Sequence, residues 1–329
     1  MIVTLISPIH HFSLEKPESS FKFDLFEIRK DQHLLNTYLL NTDIIKAIGY
    51  IDNNVLMRGY NVYYYGDSQR LSQASNIVHG AQICEKLNAL LDFTFNNLWF
   101  IKDNSVNANV CFINENNSKR IWRNIRTQQR SNASGTYEIT SFSSLEIQNF
   151  LRINGILTQI NSEIGSLVKE PEFDENNPSK IGTLNFLDYN NQMSRLNRAL
   201  NFLSFARNNS FLPQKISFYI AILECLFTTD NSEVTHKIKE RVSLYIGGSK
   251  EDKIRNFDLI NIGYLVRSKF MHGQPFDKKI ASREALIEVS VKLDQLLRIL
   301  LNKIIQHDME VFNKTNDELN NWFKDLLLG

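Results

Sequence analysis

The sequence predicts an α+β N-terminal domain followed by an all-α helical bundle. Across residues 1–170, short β-branched and aromatic runs alternate with two helical stripes. At residues 171–180 two prolines and an acidic run break the pattern and read as a surface linker. From residue 181 to 329 every apolar pattern recurs at helical spacing.

The first domain is expected to open with a strand at 2–6, followed by strands at 21–26, 62–65, 98–101, 110–113 and 137–140. Each is rich in Val, Ile, Phe and Tyr and is bounded by Asn, Asp, Ser or Gly. One helix is expected at 74–93, where Ile77, Ala81, Cys84, Leu87 and Leu91 recur. A second is expected at 143–168 with Leu145, Phe150, Ile153, Leu157, Ile160 and Ile164 on one face.

In the second domain, Leu196, Leu200 and Leu203 stripe a helix at 184–207, and 216–227 is apolar on nearly all sides, as a central buried helix would be. Asp230-x-x-Glu233 has capping-box spacing before a helix carrying Val234, Ile238, Val242 and Tyr245, which Gly247-Gly248 stops. Ser249-x-x-Asp252 opens the next helix, running to His272 before Gly273. Leu286, Val289, Leu293, Leu296, Leu297, Leu300 and Ile304 mark a long helix, and Leu319, Trp322, Phe323 and Leu326 a final amphipathic one.

Composition excludes several classes. Among 329 residues, 37 Lys+Arg against 36 Asp+Glu leave a net charge of +1, so nothing draws nucleic acid to the whole surface. The three cysteines fall in no paired spacing, which argues against a disulfide framework and a zinc knuckle. The first residues lack the basic start of a signal peptide, and no apolar run reaches membrane-spanning length, so a cytoplasmic protein without membrane contact is expected. There is no glycine-rich phosphate loop, nucleophile elbow or metal-ligand set, so neither a cofactor nor a metal is expected.

The chemistry concentrates in Arg267-Ser-Lys-Phe-Met-His272-Gly273. On the stripe Phe257, Ile260, Tyr264, Arg267, Met271, the arginine stands where the pattern asks for an apolar side chain. It must therefore be paired or face a cleft. His272 sits at the helix C-terminus, where the helix dipole favours imidazolium. Arginine and histidine are the groups a metal-free RNA cleavage requires, one to steady the phosphorane and the other to move protons. Five residues turn a helix by about 140°, so the two side chains do not share a face. They converge only through unwinding at the glycine or across a second copy. Ser268, four residues before His272, does share its face. Glu224, the one acid in an apolar helix, needs a partner, with Arg198, Arg241 and Arg267 as candidates.

Arg267-x4-His272 matches the RX4-6H motif of the HEPN superfamily of defence and toxin ribonucleases. Four ordered segments resemble its Apea-like branch: Arg198-Ala-Leu, the stretch 215–227, the stretch 233–242, and 267–273. The resemblance covers about 185–305. It implies a HEPN-like helical bundle that forms a homodimer, a metal-independent endoribonuclease attacking through the RNA 2′-OH, and a role in abortive infection or as a toxin released by a phage-derived or cellular trigger. Arg267, His272, Ser268 and Glu224 are the expected catalytic set. Ser268 departs from the Asn, Asp or His that often follows the motif arginine. The N-terminal domain is not covered and is expected to act as sensor or substrate selector.

A second basic feature lies in that domain. Lys119, Arg120, Trp122, Arg123, Arg126 and Arg130 form an acid-free run with one indole, able to hold a phosphate backbone and stack a base. From a different class, the alternative is a non-catalytic dimeric scaffold or sensor that binds RNA or a nucleotide.

Overall fold

The computed structural model describes residues 2–16, 19–31, 45–46, 48–70, 80–115, 121–165, 193–230 and 232–328. The chain divides into two compact units, Met1–Arg152 and Ile153–Gly329. The proposed linker at 171–180 lies outside the described residues.

The first unit is an antiparallel sheet of six strands in the order β3-β4-β5-β1-β6-β7. These are β1 (Ile2–Ile9), β3 (Phe21–Phe23), β4 (Phe26–Arg29), β5 (Tyr60–Asp67), β6 (Val110–Glu115) and β7 (Ile121–Ile125). A two-stranded parallel pair joins β2 (Phe12–Leu14) to β8 (Thr140–Phe142). Successive strand residues point to opposite faces, and here both faces are apolar. Val3, Leu5, Val62, Tyr64, Cys111 and Ile113 pack with Cys84, Leu87 and Leu91 of helix α2 (Gly80–Asn96). Ile6, Tyr63, Val110 and Phe112 pack with Leu56 of helix α1 (Tyr50–Arg58). That two-sided burial is why β1 reads as a nearly continuous apolar run.

Three expectations change here. Residues 98–101 do not form a strand: Asn97–Phe100 is a 3₁₀ turn ending α2, with Leu98 and Trp99 fully buried. The stretch expected as one strand at 21–26 is a hairpin, because Asp24 takes a left-handed φ of 49° between β3 and β4. The strand expected at 137–140 starts only at Thr140.

The second unit is helical. Helix α3 (Ser144–Gly165) spans the division between the units. It is followed by α4 (Arg195–Arg207), α5 (Leu212–Phe227), α6 (Val234–Ile246), α7 (Lys250–Met271) and α8 (Arg283–Lys303). A π turn at Ile304–Asp308, the short α9 (Met309–Phe312) and α10 (Asn316–Leu328) complete it. Helix α5 is the hub, touching α4, α6, α7 and α8. Its Ile216, Ile220, Ile222, Leu223, Leu226 and Phe227 are all fully buried. Gly263 lets α7 approach closely: a Cβ there would lie 2.7 Å from Ile220 and 3.0 Å from Leu293.

The expected capping box at α6 does not form. Glu233 stands at the N-cap in the left-handed region, φ 49°, and makes no capping bond. Asp230 instead accepts from the Ser232 backbone N–H and from Lys237 Nζ. The box at α7 does form: Ser249 Oγ accepts from Asp252 N at 3.2 Å, and Asp252 Oδ2 accepts from Ser249 N at 3.0 Å.

Candidate active site on helix α7

Helix α7 carries the site because both of its ends are fixed by local chemistry. Its start is held by the Ser249–Asp252 box. Its end is a Schellman motif: Gln274 N–H donates to the Lys269 carbonyl at 2.8 Å and Gly273 N–H to the Phe270 carbonyl at 3.2 Å. Gly273 adopts φ +64°, the conformation that favours glycine at this position. His272 is therefore the C-cap residue, exposed, at the negative end of the helix dipole. Local unwinding does not bring Arg267 and His272 together, because α7 remains helical through Met271.

Arg267 turns toward α5. Its Nη1 donates to Glu224 Oε1 at 2.9 Å, so of the three candidate arginines this is the one that meets the buried-helix acid. The other two go elsewhere: Arg241 Nη1 donates to the Phe227 carbonyl at 2.8 Å and Arg198 Nη2 to the Met193 carbonyl at 3.1 Å. The pair is half-buried, with Arg267 at 35% and Glu224 at 23% side-chain exposure. A third group completes it. Tyr264, one turn before Arg267, donates its hydroxyl to the same Glu224 oxygen at 3.1 Å. Burial, and then the neighbouring carboxylate, push the Tyr264 hydroxyl's pKa up and keep it a donor. Tyr264 reads in the sequence only as a stripe residue, and no signal there marks it as part of a polar site.

The apolar stripe stops earlier than its spacing implies. Ile260, Tyr264 and Val266 are buried, but Met271 is 65% exposed. Arg267 thus marks the edge of the buried face rather than an intrusion within it. Ser268 is exposed, and its carbonyl accepts the His272 backbone N–H at 3.1 Å. The expected set is therefore distributed over two adjacent surfaces. Glu224 and Arg267 form one contact, while Ser268 and His272 line the solvent side of the final turn.

The basic run in the first unit is placed differently. Lys119 and Arg120 lie outside the described residues. Trp122 and Arg123 lie on β7, at the edge of the sheet, with Trp122 packed against the core. The run contains no acid, but the fold brings acids to it. Asp52 meets Arg123 at 2.7 Å, and Asp92 meets Arg130 at 2.6 Å and Arg126 at 3.9 Å. Arg130 itself is buried.

Among the described residues no group of three or more His, Cys, Asp or Glu could hold a metal ion, and no helix is long and apolar enough to cross a membrane. No protein-family model matches the chain, and neither a curated protein nor a solved structure matches it significantly.

Proposed function

We propose that the helical unit is a HEPN-type endoribonuclease, cutting RNA without a metal in antiphage defence or as a toxin. The observation that carries this reading is the placement of the RX4-6H pair. Arg267 is oriented by a carboxylate from the hub helix, and His272 is exposed on the glycine stop of the same helix. In this mechanism a histidine removes the 2′-OH proton, the 2′-oxygen forms its bond to phosphorus, and the P–O5′ bond breaks as a second acid delivers a proton to the leaving oxygen. Products are a 2′,3′-cyclic phosphate and a 5′-hydroxyl. Arg267 stabilises the charge that develops on the phosphorane. Glu224 is a positioning residue, holding the guanidinium fork, and Ser268 lies beside the histidine.

The regular helix leaves the about 140° offset in place, so the two proton roles are assigned to His272 from each of two copies. Apolar surface near the site supports a homodimer. Ile262 and Leu265, each 36% exposed, and Ile299, 52% exposed, line a groove of about 790 Å³ between α7 and α8. The N-terminal unit is assigned the role of sensor or substrate selector.

The test is incubation of the purified protein with total RNA in EDTA, beside His272→Ala and Arg267→Ala. Wild-type cleavage lost in both variants supports the nuclease. Equal persistence of RNA in all three, with the native trigger present, refutes it. The engagement of Arg267 by Glu224, whose same oxygen also accepts from Tyr264, favours one competing reading, a dimeric scaffold that retains RNA or nucleotide uncut. That reading predicts binding undiminished in His272→Ala.

A further inference from the structure

A second polar site lies in the helical unit, on the α4 side of Glu224. A cleft of about 460 Å³ opens there, lined by Arg195, Arg198 and Lys314 along with Met193, Cys225 and Phe312. Its charge is one-sided. Three cations line it against the single carboxylate of Glu224, which Arg267 already engages. Among the described residues no carboxylate comes within salt-bridge distance of Arg195, Arg198 or Lys314, which sets them apart from Arg123, Arg130, Lys237, Arg267 and Arg298.

The two arginines stand three residues apart on α4, on the same helical face, where like charges repel. Burial and then the Arg198 charge both pull the Arg195 pKa down. Arg195 cannot turn away, because it is built into the frame. Its Nη1 donates to the Cys225 carbonyl at 3.0 Å and the Thr228 carbonyl at 2.6 Å, and its Nη2 donates to Asn316 Oδ1. It therefore fastens the end of α5 to the start of α10. Arg198 is exposed and gives one bond to the Met193 carbonyl, leaving further donors of its fork to point at a ligand. Lys314, also exposed, supplies an ammonium from the turn before α10. Three cations gathered in one recess, against a lone carboxylate that Arg267 already engages, make a site for a multiply charged anion. The cleft's size falls within the range of small-molecule pockets.

We propose that this cleft binds a small phosphate-bearing molecule, held by Arg198 and Lys314 against the fixed charge of Arg195. The site needs neither His272 nor RNA cleavage, and it stands or falls apart from the nuclease reading. Phosphate chemistry is favoured over a carboxylate ligand because the Arg198 fork and the Lys314 ammonium, beside the fixed charge of Arg195, match a tetrahedral dianion with several acceptor oxygens.

The test is calorimetric titration of the full-length protein with inorganic phosphate, pyrophosphate and AMP, and separately with a short oligouridylate. Arg198→Gln and Lys314→Gln, alone and combined, are compared with wild type. Arg283→Gln is the control, an exposed arginine outside the cleft. The expected result is saturable binding of pyrophosphate, weakened about tenfold or more in the double variant and unchanged in the control. Each single variant alone should show a partial loss, so a double variant that failed to fold would not remove the test. No binding of any small phosphate up to about 10 mM, or equal weakening in Arg283→Gln, would overturn the proposal. Binding of the oligouridylate alone would overturn it too, by assigning these cations to an RNA track.

Discussion

The Glu224–Arg267 contact gives the sharpest quantitative test of how α7 is held. Glu224→Gln removes the charge while keeping an oxygen that can still accept from Tyr264 and Arg267. The magnitude follows from geometry. At 2.9 Å the groups are in contact, yet side-chain exposures of 35% and 23% place them between an open surface pair and a buried one. Exposed pairs contribute about 0.2–1 kcal/mol after solvent screening, and breaking a buried pair costs about 3–5 kcal/mol. A half-buried pair should therefore lose about 1–2 kcal/mol when its carboxylate becomes an amide. For a unit of this size each kcal/mol shifts the melting temperature by about 2–4 °C. The assay is a double-mutant cycle of Glu224→Gln and Arg267→Gln by urea denaturation at low and high salt. Coupling of about 1 kcal/mol or more, only partly reduced by salt, is the expected outcome. If the two single effects add to within about 0.3 kcal/mol in the double variant, the pair is not what holds α7.

Other consequences are as direct. Gly263→Ala puts a methyl 2.7 Å from Ile220 and 3.0 Å from Leu293. Overpacking of about 1–3 kcal/mol set against about 1 kcal/mol of helix propensity predicts a net loss of up to about 2 kcal/mol; a more stable variant in urea would contradict it. Ser249→Ala dismantles the α7 capping box and should cost about 1 kcal/mol, whereas Glu233→Gly, at φ 49°, should leave stability unchanged or raise it; a scanning melt of the two variants decides. Burial pushes the Tyr63 hydroxyl up to about 12 from its ordinary 10.0, although its bond with Asn61 acts the other way. With the folded value raised, the stabilisation is complete below about pH 10 and is lost as the pH climbs toward 12, because the unfolded chain releases that proton first. Urea midpoints at pH 9 and 11 in wild type and Tyr63→Phe test this, and an equal alkaline loss in both would refute it.

How much of this could be read beforehand depended on how local the cause was. Helix α7 was legible to the residue, because Ser249, Asp252 and Gly273 each act on the backbone within one turn. The need of Glu224 for a partner was legible from its apolar neighbours, but the choice among three arginines was not. That choice depends on how α7 meets α5 at Gly263, a tertiary fact. Tyr264 was hidden for the same reason. The misreading at 98–101 arose because Leu98, Trp99 and Phe100 are all buried, and a short, wholly apolar run carries no period to tell a turn of helix from a strand. Strand β7 is hidden in the sequence because Ile121-Trp122 is followed by Arg123-Asn124, which breaks the apolar–polar alternation that marks a half-buried strand. The acids that meet the arginines of the basic run, Asp52 at Arg123 and Asp92 at Arg130, come from α1 and α2, far off in sequence.

The π turn at Ile304–Asp308 sets the angular phase of everything downstream. One residue more per turn advances the chain by about 100° relative to a continuous α-helix. That step lets Asp308 accept the Tyr245 hydroxyl at 2.6 Å and sends Phe312 fully inside, against Phe227. It also determines which side of the bundle Lys314 and Asn316 reach. Deleting one residue from that turn would swing both out of the cleft beside Arg195 while leaving α8 intact. The charge of the recess is thus written partly in a count of residues, and a one-residue change in length would alter it more than many changes in side-chain chemistry.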